Sequence, residues 1–293
     1  MAANLLPDEL RAAALRLRAS VGTRINGPQG GVPTFFDTFL MQLIERLSTT
    51  EALHGWRGQA DLAPGAEAGS LTSALQCLDE YLARRDHPRL VSYAARRAID
   101  PSRACDIGQF ELLASQGMTD CLAWKGLPLF KTAFDFALLP MMLHELQPAT
   151  ILEIGSGSGA SARWMAAISV AAGLPVRVLS VDIQRATAGG EQGVEFFQGD
   201  VRVPESLFGA QVLAGAAHPW LLIEDAHVNV GPVLAYFDHF LQRGDYLIVE
   251  DSREKHEILG AWITDRYLVD TRYTDFFGRN ATSAADAIFA VTG

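Results

Sequence analysis

The sequence predicts an α/β fold: a mostly parallel sheet with helices on both faces over residues 121–293, preceded by a helical region over 1–120. Three observations carry this reading. From about residue 148, short apolar runs alternate with helical segments, and a glycine-rich turn joins the first of those runs to a helix. Before about residue 116 no such short apolar run occurs.

The N-terminal region reads as Leu/Ala-rich amphipathic helices near 8–20, 34–48, 71–86, 88–98 and 106–116, the first following the helix-start residues Pro7-Asp8-Glu9. The stretch from Gly55-Trp56-Arg57-Gly58 through Pro64-Gly65 to Gly69-Ser70 breaks the pattern and marks a loop. Arg11, Arg16 and Arg18 interrupt Met1–Ser20, which lacks the apolar centre of a signal peptide and reads as a first helix, so the expected location is cytoplasmic. The region carries no catalytic pattern. It is assigned to covering the site or to subunit contacts, which makes a homo-oligomer the expected state.

Strands are expected over 150–154, 176–181, 195–197, 220–223 and 245–249, each followed by a helical segment. The last two, 267–273 and 287–291, are separated by a loop too short for a helical crossover and are therefore expected to run antiparallel to each other.

Composition narrows the partners. Apolar residues make up 49% of the 293 residues, yet no run approaches the roughly 20 needed to cross a bilayer, so no membrane partner is expected. With 24 basic and 34 acidic side chains the net charge is −10, and Arg84-Arg85 and Arg96-Arg97 are too sparse for a nucleic-acid footprint. Cys77, Cys105 and Cys121 lie far apart and show neither a disulfide framework nor zinc-ligand spacing.

The strongest local signal is Ile151-Leu152-Glu153-Ile154-Gly155-Ser156-Gly157-Ser158-Gly159-Ala160-Ser161, a strand entering glycines and then a helix. Such glycines let a backbone approach a ligand closely. The spacing is G-x-G-x-G rather than the G-x-G-x-x-G of a pyrophosphate site, and Glu153 suits a cationic ligand group better than phosphate. Gly155, Ser156, Gly157 and Ser161 are thus candidate ligand contacts. Downstream, Asp182-Ile183 ends the next strand, where such folds place a carboxylate against ribose hydroxyls. Asp200-Val201 follows the third strand, with its acid available to an adenine amino group. A tight turn without a ligand is the plain alternative for any one of these features.

Strand four runs into Glu224-Asp225-Ala226-His227, and strand five into Glu250-Asp251. In an open α/β sheet these ends face the ligand crevice. Four carboxylates converging there repel one another unless a cation joins them, and Mg²⁺ is the hard ion that suits oxygen ligands and polarises a bound hydroxyl. His227 is placed to take the hydroxyl proton. Asp225 and Asp251 equally suit helix caps, and His227 a loop position. Lys131-Thr132-Ala133-Phe134-Asp135-Phe136 precedes the helix leading to the first sheet strand, so Lys131 and Phe134 are candidates to fold over a cofactor, the ring as a cation–π contact. Aromatics in such a segment are also ordinary core. The loop Tyr273–Asn280 is a candidate substrate wall or interface.

With E-x-G-x-G-x-G at Glu153–Gly159 and the acid at Asp182, the chain resembles the class I S-adenosylmethionine-dependent methyltransferases. The resemblance implies a Rossmann-like seven-stranded sheet whose last strand is antiparallel. Ile223–Asn229, Gly244–Asp251 and Trp124-Lys125-Gly126-Leu127-Pro128 narrow it to the cephalosporin-hydroxylase-like methyltransferases and, more distantly, the macrolide-sugar O-methyltransferases. It covers about 121–293.

Those families imply Mg²⁺ held at Glu224, Glu250 and Asp251, with His227 as base and S-adenosylmethionine on the glycine turn. Glu224 departs from the expected Asp by one methylene, which brings Asp225 forward as a substitute ligand. The implied activity is O-methylation of a small-molecule acceptor, a natural product or sugar-like hydroxyl compound. The competing readings are a cyclase or lyase that releases methylthioadenosine from the same cofactor, and a binding subunit without turnover.

Overall fold

The structure, a computed structural model, describes residues 88–98, 114, 122–184, 186, 193–278 and 281–293. They belong to one compact unit, Pro88–Gly293. The helices expected near 8–20, 34–48 and 71–86, nearly all of 106–116, the loop at 55–70 and the three cysteines lie outside the described residues.

Ten strands are described: β1 (Leu90–Ser92), β2 (Ala123–Trp124), β3 (Leu127–Pro128), β4 (Thr150–Ile154), β5 (Arg177–Asp182), β6 (Val194–Gln198), β7 (Trp220–Glu224), β8 (Tyr246–Val249), β9 (Tyr267–Asp270) and β10 (Ile288–Val291). The α-helices are α1 (Tyr93–Arg97), α2 (Asp135–Leu146), α3 (Ala160–Ala171), α4 (Ala210–Ala214), α5 (Val230–Asp238), α6 (His256–Trp262) and α7 (Thr271–Thr274). Eight strands form one sheet in the order β1-β9-β10-β8-β7-β4-β5-β6, and β2 and β3 form a separate hairpin. From β8 to β6 every pair is parallel, whereas β10 lies antiparallel between β8 and β9. All seven expected strands are present and the expected reversal is there, but the run expected over 267–273 ends at Asp270 and continues as α7, whose first turn the Asp270 side chain caps by accepting the Arg272 N–H.

The central strands β4 and β7 are buried along their whole length, as parallel strands covered on both faces must be. Alternation along β4 sorts its side chains onto two cores. Ile151 packs with Leu138, Met142 and Leu143 of α2 and Trp164 and Met165 of α3. Leu152 and Ile154 pack with Val233, Leu234 and Phe237 of α5 and Leu259 of α6. Each large core side chain removed from water contributes about 1.5–3 kcal/mol, so both helix pairs are fastened to the sheet by these stripes.

The eighth strand corrects an expectation. Residues 88–98, expected as a helix of the N-terminal region, form β1 and α1 and belong to the sheet unit. Leu90–Ser92 pair antiparallel with the free edge of β9, and the Arg89 guanidinium grips Asp270 at 2.9–3.1 Å. Ser92 then caps α1 by accepting the Ala95 N–H at 3.2 Å. Arg96 is buried against Asp286, 2.6 Å away, and Asp275. No helix among the described residues is long and apolar enough to cross a membrane.

Candidate active site

The C-terminal ends of β4, β5, β6, β7 and β8 open onto a single cavity of about 760 Å³. That volume falls within the range of small-molecule sites. Its walls include Lys131, Gly155, Ser156, Gly157, Ser161, Asp182, Ile183, Asp200, Val201, Asp225, His227, Glu250 and Asp251. Thirteen candidates spread over 120 residues of sequence are therefore brought to one place by the sheet. Phe134, Glu153 and Glu224 are not on the wall.

Each of those three is explained by its contacts. Phe134 packs against Phe277 in a tilted pair with ring centroids 5.2 Å apart, so its ring is a packing element away from the cavity. Glu153 is buried one layer beneath the glycine turn, where it accepts from Ser180 Oγ at 2.5 Å and from Ser161 Oγ. Burial pushes its carboxyl above the usual range. It ties α3 and β5 to β4.

Glu224 is fully buried at the end of β7. Its Oε2 accepts from Lys255 Nζ at 2.7 Å, and its Oε1 from the N–H groups of Ala226 and His227 at 3.1 and 3.2 Å. The carboxylate shapes the turn that carries His227. Among the described residues Lys255 is the cation paired with Glu224, so a Lys255→Met variant leaves Glu224 as an uncompensated buried charge, an expected loss of about 3–5 kcal/mol. Denaturant unfolding reads this directly, and an unchanged midpoint would show that the pair is dispensable.

Above the buried layer the backbone is bent for the site. The chain turns so tightly at Gly155 (φ +103°) that a Cβ there would lie 2.6 Å from the carbonyl carbon of Asp225. The glycine turn thus lies directly against the β7 end. His227 and Asp251 sit in the left-handed region at φ 61° and 46°. Such strain, about 1–2 kcal/mol for a non-glycine residue, concentrates at functional sites. Asp182 accepts the Gly157 N–H at 2.9 Å, holding the turn from the β5 side. The hairpin turn Lys125-Gly126, both with positive φ, folds Pro128 back so that its carbonyl accepts from Ser158 Oγ at 2.6 Å.

The four expected metal ligands separate into two kinds. Glu224 belongs to Lys255, and Glu250, almost wholly buried, bonds Lys131 Nζ. Lys131 also reaches Asp225 Oδ2 at 3.2 Å. Burial works against the Lys131 charge, but Asp225 and Glu250 overcome it and raise its pKa. Asp225, His227 and Asp251 remain as a group whose ligand atoms lie within 4.8 Å of one another. His227 Nε2 is 3.4 Å from both Asp225 Oδ1 and Asp251 Oδ2.

On the far wall, both oxygens of Asp200 are taken by the Arg202 side chain and backbone at 2.6–3.0 Å. That arginine holds the Asp200 carboxyl below its usual range. The carboxylate expected to accept from adenine is thus already engaged. Sequence reasoning missed Phe130, Arg202, Val228 and Ser283 on the wall. Arg202 had a local signal, lying two residues after Asp200; Ser283 had none.

A glycine turn pressed against strand ends, a ribose-side carboxylate on the next strand and a reversed strand inside a parallel sheet together define the fold of the class I S-adenosylmethionine-dependent methyltransferases. Within that class, residues 116–258 match the family described as Rhamnosyl O-methyltransferase/CmcI. A rhamnosyl O-methyltransferase of Mycobacterium leprae (strain TN) is 31% identical over 137 residues, covering 44% of this chain and 59% of that protein. One of Mycobacterium bovis (strain BCG / Pasteur 1173P2) is 30% identical over 164 residues, covering 53% and 66%. The chain thus spans about three-fifths to two-thirds of the curated relatives it matches. A solved structure titled CmcI-N160 apo-structure shares 26% identity and superposes with a TM-score of 0.51, covering 71% of this chain and 87% of that one.

Proposed function

We propose that this chain is an S-adenosylmethionine-dependent O-methyltransferase acting on a hydroxyl of a small-molecule, sugar-like or natural-product acceptor, with Mg²⁺ assisting and His227 as base. One observation carries the reading. The glycine turn with Asp182 and the Asp225–His227–Asp251 group line the same cavity.

S-adenosylmethionine supplies a methyl group already activated on a sulfonium. The backbone of Gly155–Gly157 and the Asp182 carboxylate bind and orient its nucleoside. Mg²⁺, when bound, would supply positive charge that favours loss of the acceptor's hydroxyl proton. Two carboxylates and an imidazole within 4.8 Å fit a small divalent ion, and Asp225 and Asp251 are the oxygen donors that would hold it. Glu224 and Glu250, both buried and each bonded to a lysine, lie outside that group.

His227, beside Asp225 and Asp251 on the wall, takes the acceptor proton. Phe130 and Val228, exposed and apolar on the wall, cover the acceptor and exclude water. The charged wall around His227 favours deprotonation of an external acceptor over cyclisation of the cofactor, which needs a dry aromatic pocket.

The test is mass spectrometry of small molecules after incubating the protein with S-adenosylmethionine, Mg²⁺ and a panel of hydroxylated acceptors. S-adenosylhomocysteine appearing only with an acceptor is the expected result. Methylthioadenosine released without one would overturn the reading.

A further inference from the structure

We infer that Lys131 is a positioning residue for methyl transfer: its ammonium ties Asp225, beyond the end of β7, to Glu250, at the end of β8, and so fixes the carboxylate that faces His227. The inference rests on the methyl-transfer reading above.

The side chain is only 4% exposed and yet borders the cavity. A lysine needed only to neutralise Glu250 would satisfy that one carboxylate. Here Nζ bonds Glu250 Oε2 and also Asp225 Oδ2 at 3.2 Å, while Asp225 Oδ1 lies 3.4 Å from His227 Nε2. The two oxygens of one carboxylate thus join the lysine to the imidazole.

Both ends of the link are braced. The Lys131 backbone is anchored by the next residue, where Thr132 donates its N–H and Oγ1 to Asp135 Oδ2 at 3.1 and 2.7 Å. Thr282 Oγ1 holds the other oxygen of Asp135 at 2.8 Å, and its neighbour Ser283 reaches Glu250 Oε2 at 3.4 Å. A buried ammonium with its stem and both partners fixed is suited to hold a geometry. Losing roughly 1 Å of alignment at a reacting group lowers the rate by about 100-fold.

The experiment compares wild type, Lys131→Met, Lys131→Arg and the double variant Lys131→Met/Glu250→Gln, measuring S-adenosylhomocysteine release with an acceptor that the wild type methylates. Lys131→Met alone leaves Glu250 buried without a counter-charge and is expected to unfold readily, so the double variant is decisive. It is expected to fold, to keep the wild-type KM for S-adenosylmethionine and to lose about 100-fold in kcat, with Lys131→Arg recovering part of that loss. Wild-type kcat in the double variant would overturn the proposal and reduce Lys131 to a counter-ion for Glu250. A double variant that fails to fold would overturn it in favour of a folding role, and a raised KM at unchanged kcat in favour of a cofactor contact. Wild type that yields no S-adenosylhomocysteine with any acceptor would overturn the methyl-transfer reading itself.

Discussion

The His227→Asn variant is expected to lose roughly 10²–10⁴-fold in kcat, the usual contribution of a positioned proton acceptor, while binding S-adenosylmethionine as the wild type does. Asparagine is the informative replacement. Position 227 has φ 61°, and asparagine is one of the few side chains that visit this region readily, so the turn keeps its shape when the imidazole is removed. The Ala226 and His227 N–H bonds to Glu224 are backbone bonds and survive the change. Calorimetric titration with S-adenosylmethionine separates the two effects. A variant that turns over at the wild-type rate would place the base elsewhere on the wall, and one that no longer binds the cofactor would make His227 a binding residue.

The Gly155→Ala variant is expected to damage both halves of the site at once. An added methyl meets the Asp225 carbonyl carbon and oxygen at 2.6 Å and the Ala226 nitrogen at 2.9 Å, all backbone atoms that have no flexible end to swing aside. Positive φ adds about 1–2 kcal/mol for a non-glycine residue, and overpacking about 1–3 kcal/mol. If about 2 kcal/mol of this falls on the ligand-bound form, S-adenosylmethionine affinity drops ~30-fold. Gly157→Ala is the internal control, because a Cβ there meets nothing within 4 Å. Equal losses in the two variants would mean that glycine's backbone freedom, and not the approach to β7, is what the turn requires.

Much of this was legible before any coordinates. Strands β4 to β10 are short apolar runs between breakers, and parallel strands buried on two faces leave that signature. Their C-terminal ends carry Asp182, Glu224 and Glu250 at positions that the sheet must gather. β1 was hidden because Leu90-Val91-Ser92 is only three residues long and runs straight into α1; its pairing depends on β9, far along the chain.

The sharing of the acids was hidden for a related reason. Glu224 and Glu250 look alike to Asp225 and Asp251 in sequence, and nothing local shows that Lys255 and Lys131 will reach two of them. Lys131 lies 119 residues from Glu250, and only the fold makes them neighbours. Asp200 differs in that Arg202, which bonds it, stands only two positions away.

The placement of β10 has a consequence for how the domain is made. Residues 288–291 sit between β8 and β9, so the strand nearest the end of this sequence is the wedge that joins β9, and through it β1, to the rest of the sheet. During synthesis the helix-covered block from β4 to β8 can collapse while translation continues, but β9, and β1 paired with it, can join that block only once β10 has left the ribosome. Joining them is therefore a closure between distant parts of the chain. Shortening the chain at residue 287 should leave β1 and β9 undocked from a block that still binds its cofactor weakly.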